Sequence, residues 1–171
     1  FKSTLYNATF DYTNKRIFFW GGIFSQWAKC KIIDVAINRE FNCAEQAMMY
    51  AKAVTFQDGE AIRAVMNEKN PANQKAIGRT IKGFDAAIWD EVAPDIVRRN
   101  NFFKFSQNPE WRELLILTDG YEIVEASPYD KIWGVGLAED DPKIIDPANW
   151  DGKNLLGKAI MEAREQIISE L

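Results

Sequence analysis

Apolar positions along the chain follow two rhythms, one close to two and one close to 3.6, and the changes between them mark the elements. As far as Phe19 short apolar runs are broken by Asn, Asp, Thr and Lys, which predicts strands and turns. Ile33, Val35 and Ile37 then alternate, and Asn38-Arg39 leads into Glu40-Phe41. This predicts a short β-hairpin whose turn carries Arg where Gly is usual. Asn42 stands as an N-cap with Glu45 three residues on, in capping-box position. The helix that follows, Cys43 to about Thr55, places Ala44, Ala47, Met48 and Ala51 on one face.

Further helices are predicted over Gly59–Asn67 and Pro71–Ile77, the second with Pro in its first turn and Gly78 past its end. A longer one runs from near Trp89 to Phe105, with Pro94 tolerated only in a first turn or at a kink. Pro109–Thr118 reads as helix ending towards Gly120, and Tyr121–Ala126 as strand. Ser127–Gly152 is rich in Pro and Gly, and so long a loop inside a compact domain is usually functional; it carries Trp133 and Trp150. A last amphipathic helix buries Leu156, Ile160, Ala163 and Ile167. Nothing divides the chain, so the expectation is one domain over 1–171, a compact, mainly helical α+β fold with a small β element.

Composition narrows the chemistry. A chain of 171 residues with 47% apolar and 27% charged residues has the material for a sizeable core. No apolar run approaches the ~20 residues of a membrane span, and Phe1–Phe10 lacks the layout of a signal peptide. Cys30 and Cys43 read as free thiols, which suits a cytoplasmic setting. The net charge of −4 disfavours a general polyanion binder but leaves room for a local phosphate pocket. There is no histidine at all. That removes Ser-His-Asp and Cys-His catalysis and most zinc sites, so acid–base work falls to Asp, Glu, Lys, Tyr or water. No metal and no cofactor are expected.

Four constellations carry candidate chemistry. Glu45 and Lys52 are seven residues apart, which at ~100° each puts them on one helix face about 10 Å apart. Two long side chains so placed can grip one ligand, although on spacing alone a cap and a solvated lysine is the simpler reading. Gly78-Arg79 sets a guanidinium at a helix end, suited to a phosphate; an ordinary surface arginine is the plain alternative. The run Arg98–Phe105 combines cations at a helix C-terminus with aromatics that belong in a core, and a nucleic-acid patch is the lesser reading there. The most suggestive stretch is Glu125–Asp130 followed by Trp133-Gly134-Val135-Gly136. It joins two carboxylates to an indole that can stack on a base and glycines that let backbone approach a sugar. Asp130 there is placed to stabilise positive charge on a ribosyl carbon; a structural turn with a buried Trp is the competing reading. The third glycine of a dinucleotide fingerprint and the phosphate-binding GxxxxGK[ST] loop are both missing.

In order along the chain stand FFWGGIFSQW from Phe18, CAEQAMMYAKAVTF from Cys43, Gly78-Arg79, Trp89, KFSQN from Lys104, VEASPYDKIWGVG from Val124 and WDGKNLLGKAIMEAR from Trp150. This series resembles the NADAR (YbiA-like) family of N-glycosidases over about Phe18 to Arg164. The resemblance implies a hydrolase that cleaves a ribosyl–base N-glycosidic bond. The substrate it implies is ADP-ribose on guanine bases in nucleic acid, or alternatively a ribosylaminopyrimidine phosphate of riboflavin biosynthesis. By motif it marks Glu45, Lys52 and Asp130 as catalytic. It marks Trp89, Trp133, Arg79, Lys104, Ser25 and Asn154 as substrate-binding. Lys52 has a second role open to it, attack on C1 of the opened sugar to form an imine, which needs a partly neutral amine. One departure stands out: many riboflavin-branch members have His after the glutamate, and here the residue is Gln46. Two other classes compete with the enzyme: a module that binds ADP-ribose or NAD without cleaving it, and a structural partner of another protein. The Glu45–Asp130 pair speaks for catalysis, since binding alone needs no such pair.

Overall fold

The computed structural model describes residues 1–171. Three short strands, β1 (Lys2–Ser3), β2 (Ala8–Asp11) and β3 (Arg16–Phe19), form an antiparallel meander, and β6 (Glu122–Glu125) adds to it parallel to β3. A parallel neighbour requires a crossover. Here the crossover contains the separate hairpin β4 (Ile32–Asp34) and β5 (Arg39–Phe41) and five helices. These are α1 (Ala44–Thr55), α2 (Gly59–Asn67), α3 (Pro71–Gly78), α4 (Ala86–Ser106) and α5 (Pro109–Leu117). After β6 a long loop with two 3₁₀ turns, Pro142–Ile145 and Pro147–Asn149, leads to α6 (Leu155–Ser169). The fold is α+β, with six α-helices. None of them is long and apolar enough to cross a membrane.

The sheet is covered on both faces, which is why β3 reads Ile17-Phe18-Phe19 without a polar break. Ile17, Phe19 and Ile123 face the helices and join Phe24, Val97, Phe105, Leu115, Leu156 and Ile160 in the main core. Phe18 and Val124 face the other way, into a smaller cluster with Ala126, Val135 and Ile144 that the 3₁₀ loop closes. Trp150 seals that cluster, its indole N–H donating to the Ile144 carbonyl at 2.8 Å. Half of the long loop is thus a structural cover, and Trp150 belongs to it rather than to a site.

Local chemistry moves several element boundaries. In the hairpin the buried positions are Ile32 and Asp34, whereas Val35 and Ile37 are exposed in a four-residue turn closed by Asn38 at φ 49°. The alternation runs one residue out of phase with the expected one, because Asp34 is drawn inward by Arg99 at 2.6 Å. Helix α1 is capped by Cys43, and Gln46 rather than Glu45 turns back, accepting from the Asn42 amide at 2.8 Å. Its buried face holds Ala44, Ala47 and Met48 as expected, with Met49 and Ala53; Ala51 is only half-buried. Helix α4 starts three residues before Trp89 because Asp85 caps it. Pro94 therefore lies past the second turn, and the carbonyl it fails to serve belongs to the exposed Asp90. Gly78 closes α3 as its last residue; a Cβ there would stand 2.0 Å from the Met49 sulfur, so α3 and α1 approach only through this glycine. Both cysteines are free, and burial pushes the Cys43 thiol up to about 11.

Candidate active site

Strands β3 and β6 run in the same direction, so both chains leave the sheet at the same edge, after Phe19 and Glu125. The loops they feed, 20–28 and 126–133, form two walls of a cavity of about 810 Å³; α1, α3 with Arg79 at its end, Trp89 of α4 and Leu156 of α6 form the rest. That size suits a nucleotide-like ligand. Opening a crevice beyond the carboxyl ends of parallel strands is also where α/β sheets commonly bind their ligands.

Three carboxylates line this cavity. Glu45 sits at the second position of α1, its amide held by the Gln26 carbonyl at 2.9 Å. With the capping work done by Gln46, the glutamate is left free to point into the cavity. Burial pushes its carboxyl up to about 7; Lys75, the Trp27 side chain and Lys52 pull the other way, and Asp130 adds to the rise. Glu125 ends β6. Burial first, then the charges of Asp130 and Glu45, push it up to about 8 against the pull of Lys75. Asp130 is fixed by its own turn: Oδ1 accepts from the amides of Ile132 at 2.9 Å and Trp133 at 2.8 Å, while Ser127 Oγ accepts from the Asp130 amide. Burial, with Asp130 adding to it, thus raises both glutamates towards or above neutrality.

Three cations line the same cavity. Lys52 donates to the Gly78 carbonyl at 2.8 Å and lies over the rings of Phe84 at 4.6 Å and Trp89 at 5.9 Å. Burial, with Arg79 adding to it, lowers its pKa below the ordinary lysine value; Glu45 opposes the shift. Lys75 on α3 and Arg79, the residue that caps that helix, complete the group. The ring surfaces come from Trp20, Trp27, Trp89, Tyr129 and Trp133. Trp89 is buried and Trp133 half-buried, whereas Trp20 and Tyr129 at the rim are 61% and 87% exposed.

Of the nine residues predicted from sequence, seven line the cavity: Glu45, Lys52, Asp130, Trp89, Trp133, Arg79 and Ser25. Lys104 and Asn154 do not. Lys104 is wholly buried behind the wall, where its Nζ donates to the Ser25 carbonyl at 2.9 Å and lies over Phe105 and Trp111; burial lowers it to about 8. It supports the loop that carries Ser25 and has no path to a phosphate. Asn154, buried in a left-handed conformation, bonds β6 on both sides, from Nδ2 to the Ile123 carbonyl and from the Glu125 amide to Oδ1, each at 2.9 Å. The basic run of α4 is not a free patch either, since Arg99 pairs with Asp34 and Arg98 with Glu162. Gly134, read as a point of ligand approach, instead packs between the Asp130 and Glu125 carbonyls and Ser127.

Lys75 and Gln26 line the cavity without having stood out in the sequence, and Glu125, one of the two carboxylates of the 125–130 stretch, lines it with no catalytic or binding role assigned to it there. Lys75 lies four residues before Arg79, on the same helix face, and that i, i+4 pairing was its available signal. Glu125 stood out as the first carboxylate of the stretch that follows the last strand. Gln26 Nε2 and Glu125 Oε2 are both shielded from solvent and lack a hydrogen-bond partner within the protein, one a donor and the other on a carboxyl. Gln46, where a histidine was noted in other sequences, points away: its amide nitrogen donates to the Val65 and Glu68 carbonyls. The exchange therefore removes nothing from the cavity.

Comparison with known proteins agrees with this architecture. The chain is 40% identical over 165 residues to N-glycosidase R617 of Acanthamoeba polyphaga mimivirus, covering 90% of this chain and 97% of that protein. It is 31% identical over 127 residues to the chloroplastic riboflavin biosynthesis protein PYRR of Zea mays, a match to 72% of this chain but 19% of that one. The NMR structure of the E. coli protein YbiA superposes with a TM-score of 0.74 at 26% identity, covering 92% of this chain and 87% of that one. The NADAR domain profile matches residues 18–168, spanning the strand, helix and loop segments that build the cavity, and the chain belongs to the NADAR domain family.

Proposed function

We propose that this protein is an N-glycosidase that hydrolyses a ribosyl–base N-glycosidic bond, and that its substrate is ADP-ribose attached to a guanine base in nucleic acid. One observation carries the reading: three carboxylates and three cations line one cavity walled by indoles. Each part answers to a part of the substrate. Lys75 and Arg79 bind the pyrophosphate, taking the place once expected of Lys104. Trp89 and Trp133 stack on rings, and the open aromatic rim of Trp20 and Tyr129 leaves room for a base still attached to its strand. Glu45 and Asp130 stabilise the positive charge that develops on the ribosyl carbon, and Glu45, ionised for part of the time near neutrality, accepts the proton of the attacking water. A reducing, cytoplasmic setting fits the two free thiols.

Two variants of this reading have specific support. Similarity to the maize riboflavin protein favours a ribosylaminopyrimidine phosphate, although the cavity volume and the cluster of cations exceed what one phosphate requires. Lys52 also has what an imine-forming lysine needs, burial and a neighbouring cation that together favour the neutral amine. Incubation with each substrate in turn, followed by chromatography of the free base, tests the reading. Release from ADP-ribosylated guanine is expected. Release only from the ribosylaminopyrimidine phosphate would transfer the assignment to that substrate, and binding of ADP-ribose without release from either would mark a non-catalytic module. Borohydride added during turnover separates the chemical routes. A sugar adduct trapped on Lys52 and abolished by Lys52→Arg supports the imine; partial activity of Lys52→Arg with no adduct supports direct hydrolysis.

A further inference from the structure

We infer that Glu125 is the catalytic acid of this site, donating its proton to the base as it leaves. The inference rests on the N-glycosidase reading above and gives a role to the first carboxylate of the Glu125–Asp130 stretch, which the family resemblance does not mark as catalytic.

Position comes first. Glu125 lines the same cavity as Glu45 and Asp130, and its Oε2 is shielded from solvent with no partner in the protein. A buried carboxyl oxygen left unpaired is costlier still when charged, which favours the protonated acid that a proton donor must be. The backbone beneath it cannot retreat. The Glu125 amide is held by Asn154 Oδ1 at 2.9 Å, its carbonyl accepts from the Val135 amide at 3.0 Å, and β6 is zipped to β3 alongside Phe19. The side chain is therefore presented by a rigid strand end, as a proton donor must be.

Charge then distinguishes it from its neighbours. Desolvation raises Glu125 most, Asp130 and Glu45 add to it, and Lys75 alone opposes it, so the carboxyl keeps its proton to about 8. Glu45 has Lys75, Trp27 and Lys52 on its side and gives up its proton at about 7. Only Lys75 favours ionisation of Glu125 whereas three groups favour that of Glu45, and this difference in partners makes Glu125 the donor and Glu45 the base. In the step itself the C1′–N bond breaks and its electron pair goes to the base nitrogen, which receives the Glu125 proton. Water adds to C1′ and passes a proton to Glu45, and exchange with solvent restores both carboxyls. If Lys52 forms an imine instead, the departing amine still needs the same proton.

Glu125→Gln, which keeps shape and hydrogen-bonding capacity but holds no transferable proton, is the direct test on whichever of the two substrates the wild type cleaves. The expected result is a fall in kcat of about a hundredfold or more, little change in KM, and loss of the alkaline limb of the pH–rate profile. Wild-type release with Glu125→Gln within threefold and the limb intact overturns the inference alone; no release by the wild type from either substrate overturns the reading on which it rests. Carboxyl ¹³C NMR titration of glutamate-labelled protein gives a readout independent of turnover and of the variant's folding. A carboxyl titrating above pH 7 whose signal is lost in Glu125→Asp is expected, and a wild-type spectrum in which every glutamate titrates below pH 6 contradicts it.

Discussion

Glu45 and Gln46 show how one residue's difference in helix phase separates chemistry from structure. Gln46 takes the capping and packing bonds, so Glu45, turned ~100° from it, can be spent on the cavity. The sequence made both roles available to Glu45, and only the identity of the cap decides between them: Cys43 is a weak capping residue that sequence rules overlook. Burial of Glu45 and Glu125 has a consequence for stability. Their native pKa values, about 7 and about 8, lie above the unfolded value near 4.5. Between these limits the native state holds protons that the unfolded chain has released, so stability is greatest below pH 4.5 as far as these groups are concerned and falls as pH rises through 7 and 8. Thermal melts of Glu45→Gln and Glu125→Gln should show higher Tm than the wild type at pH 8.5 and a smaller gain, or none, at pH 5. Equal differences at the two pH values would mean that neither carboxyl is held neutral. Trp133 is half-buried and packs against the core while lining the cavity. Trp133→Ala should weaken binding of ADP-ribose by about 1–3 kcal/mol, the scale of ring stacking, measured by calorimetry on a variant that still melts cooperatively. Complete loss of soluble folded protein would make Trp133 a core residue only.

At the scale of elements, periodicity located every helix, and the bounds that moved did so for local reasons. Asp85 lengthened α4, and Asp34 shifted the hairpin by one residue when Arg99 drew it inward. What periodicity could not carry was the parallel pairing of β3 with β6, because the two strands are separated by five helices and nothing in either names its partner. That pairing sets Glu125 beside Phe19 and puts both loop walls at one edge, so that Gln26 and Glu125 line one cavity was beyond reach of the sequence. Helix α6 locks the pair. Gly157 lies so close to β6 that a Cβ there would stand 2.0 Å from the Ile123 carbonyl and 2.5 Å from the Asn154 amide group. Gly157→Ala should cost about 1–3 kcal/mol or more in urea unfolding. It should also lower turnover, since Asn154 holds the Glu125 amide. A variant as stable and as active as the wild type would show that the helix–strand contact does not position the carboxyl.

Over the whole molecule the sheet divides the labour of the long loop. Its first part walls the cavity through Ser127, Asp130 and Trp133, while the later part covers the opposite face of the sheet through Ile144 and Trp150. A chain without histidine can still do acid–base chemistry because this architecture takes glutamates out of water beside a third carboxylate and balances them against lysine and arginine. That cleavage of an N-glycosidic bond depends on these carboxylates is tested most directly by single-turnover release of free base from an ADP-ribosylated guanine substrate, comparing wild type with Glu45→Gln. The account predicts release by the wild type and a rate for the folded variant lower by about a hundredfold or more. Equal rates for the two proteins would contradict it.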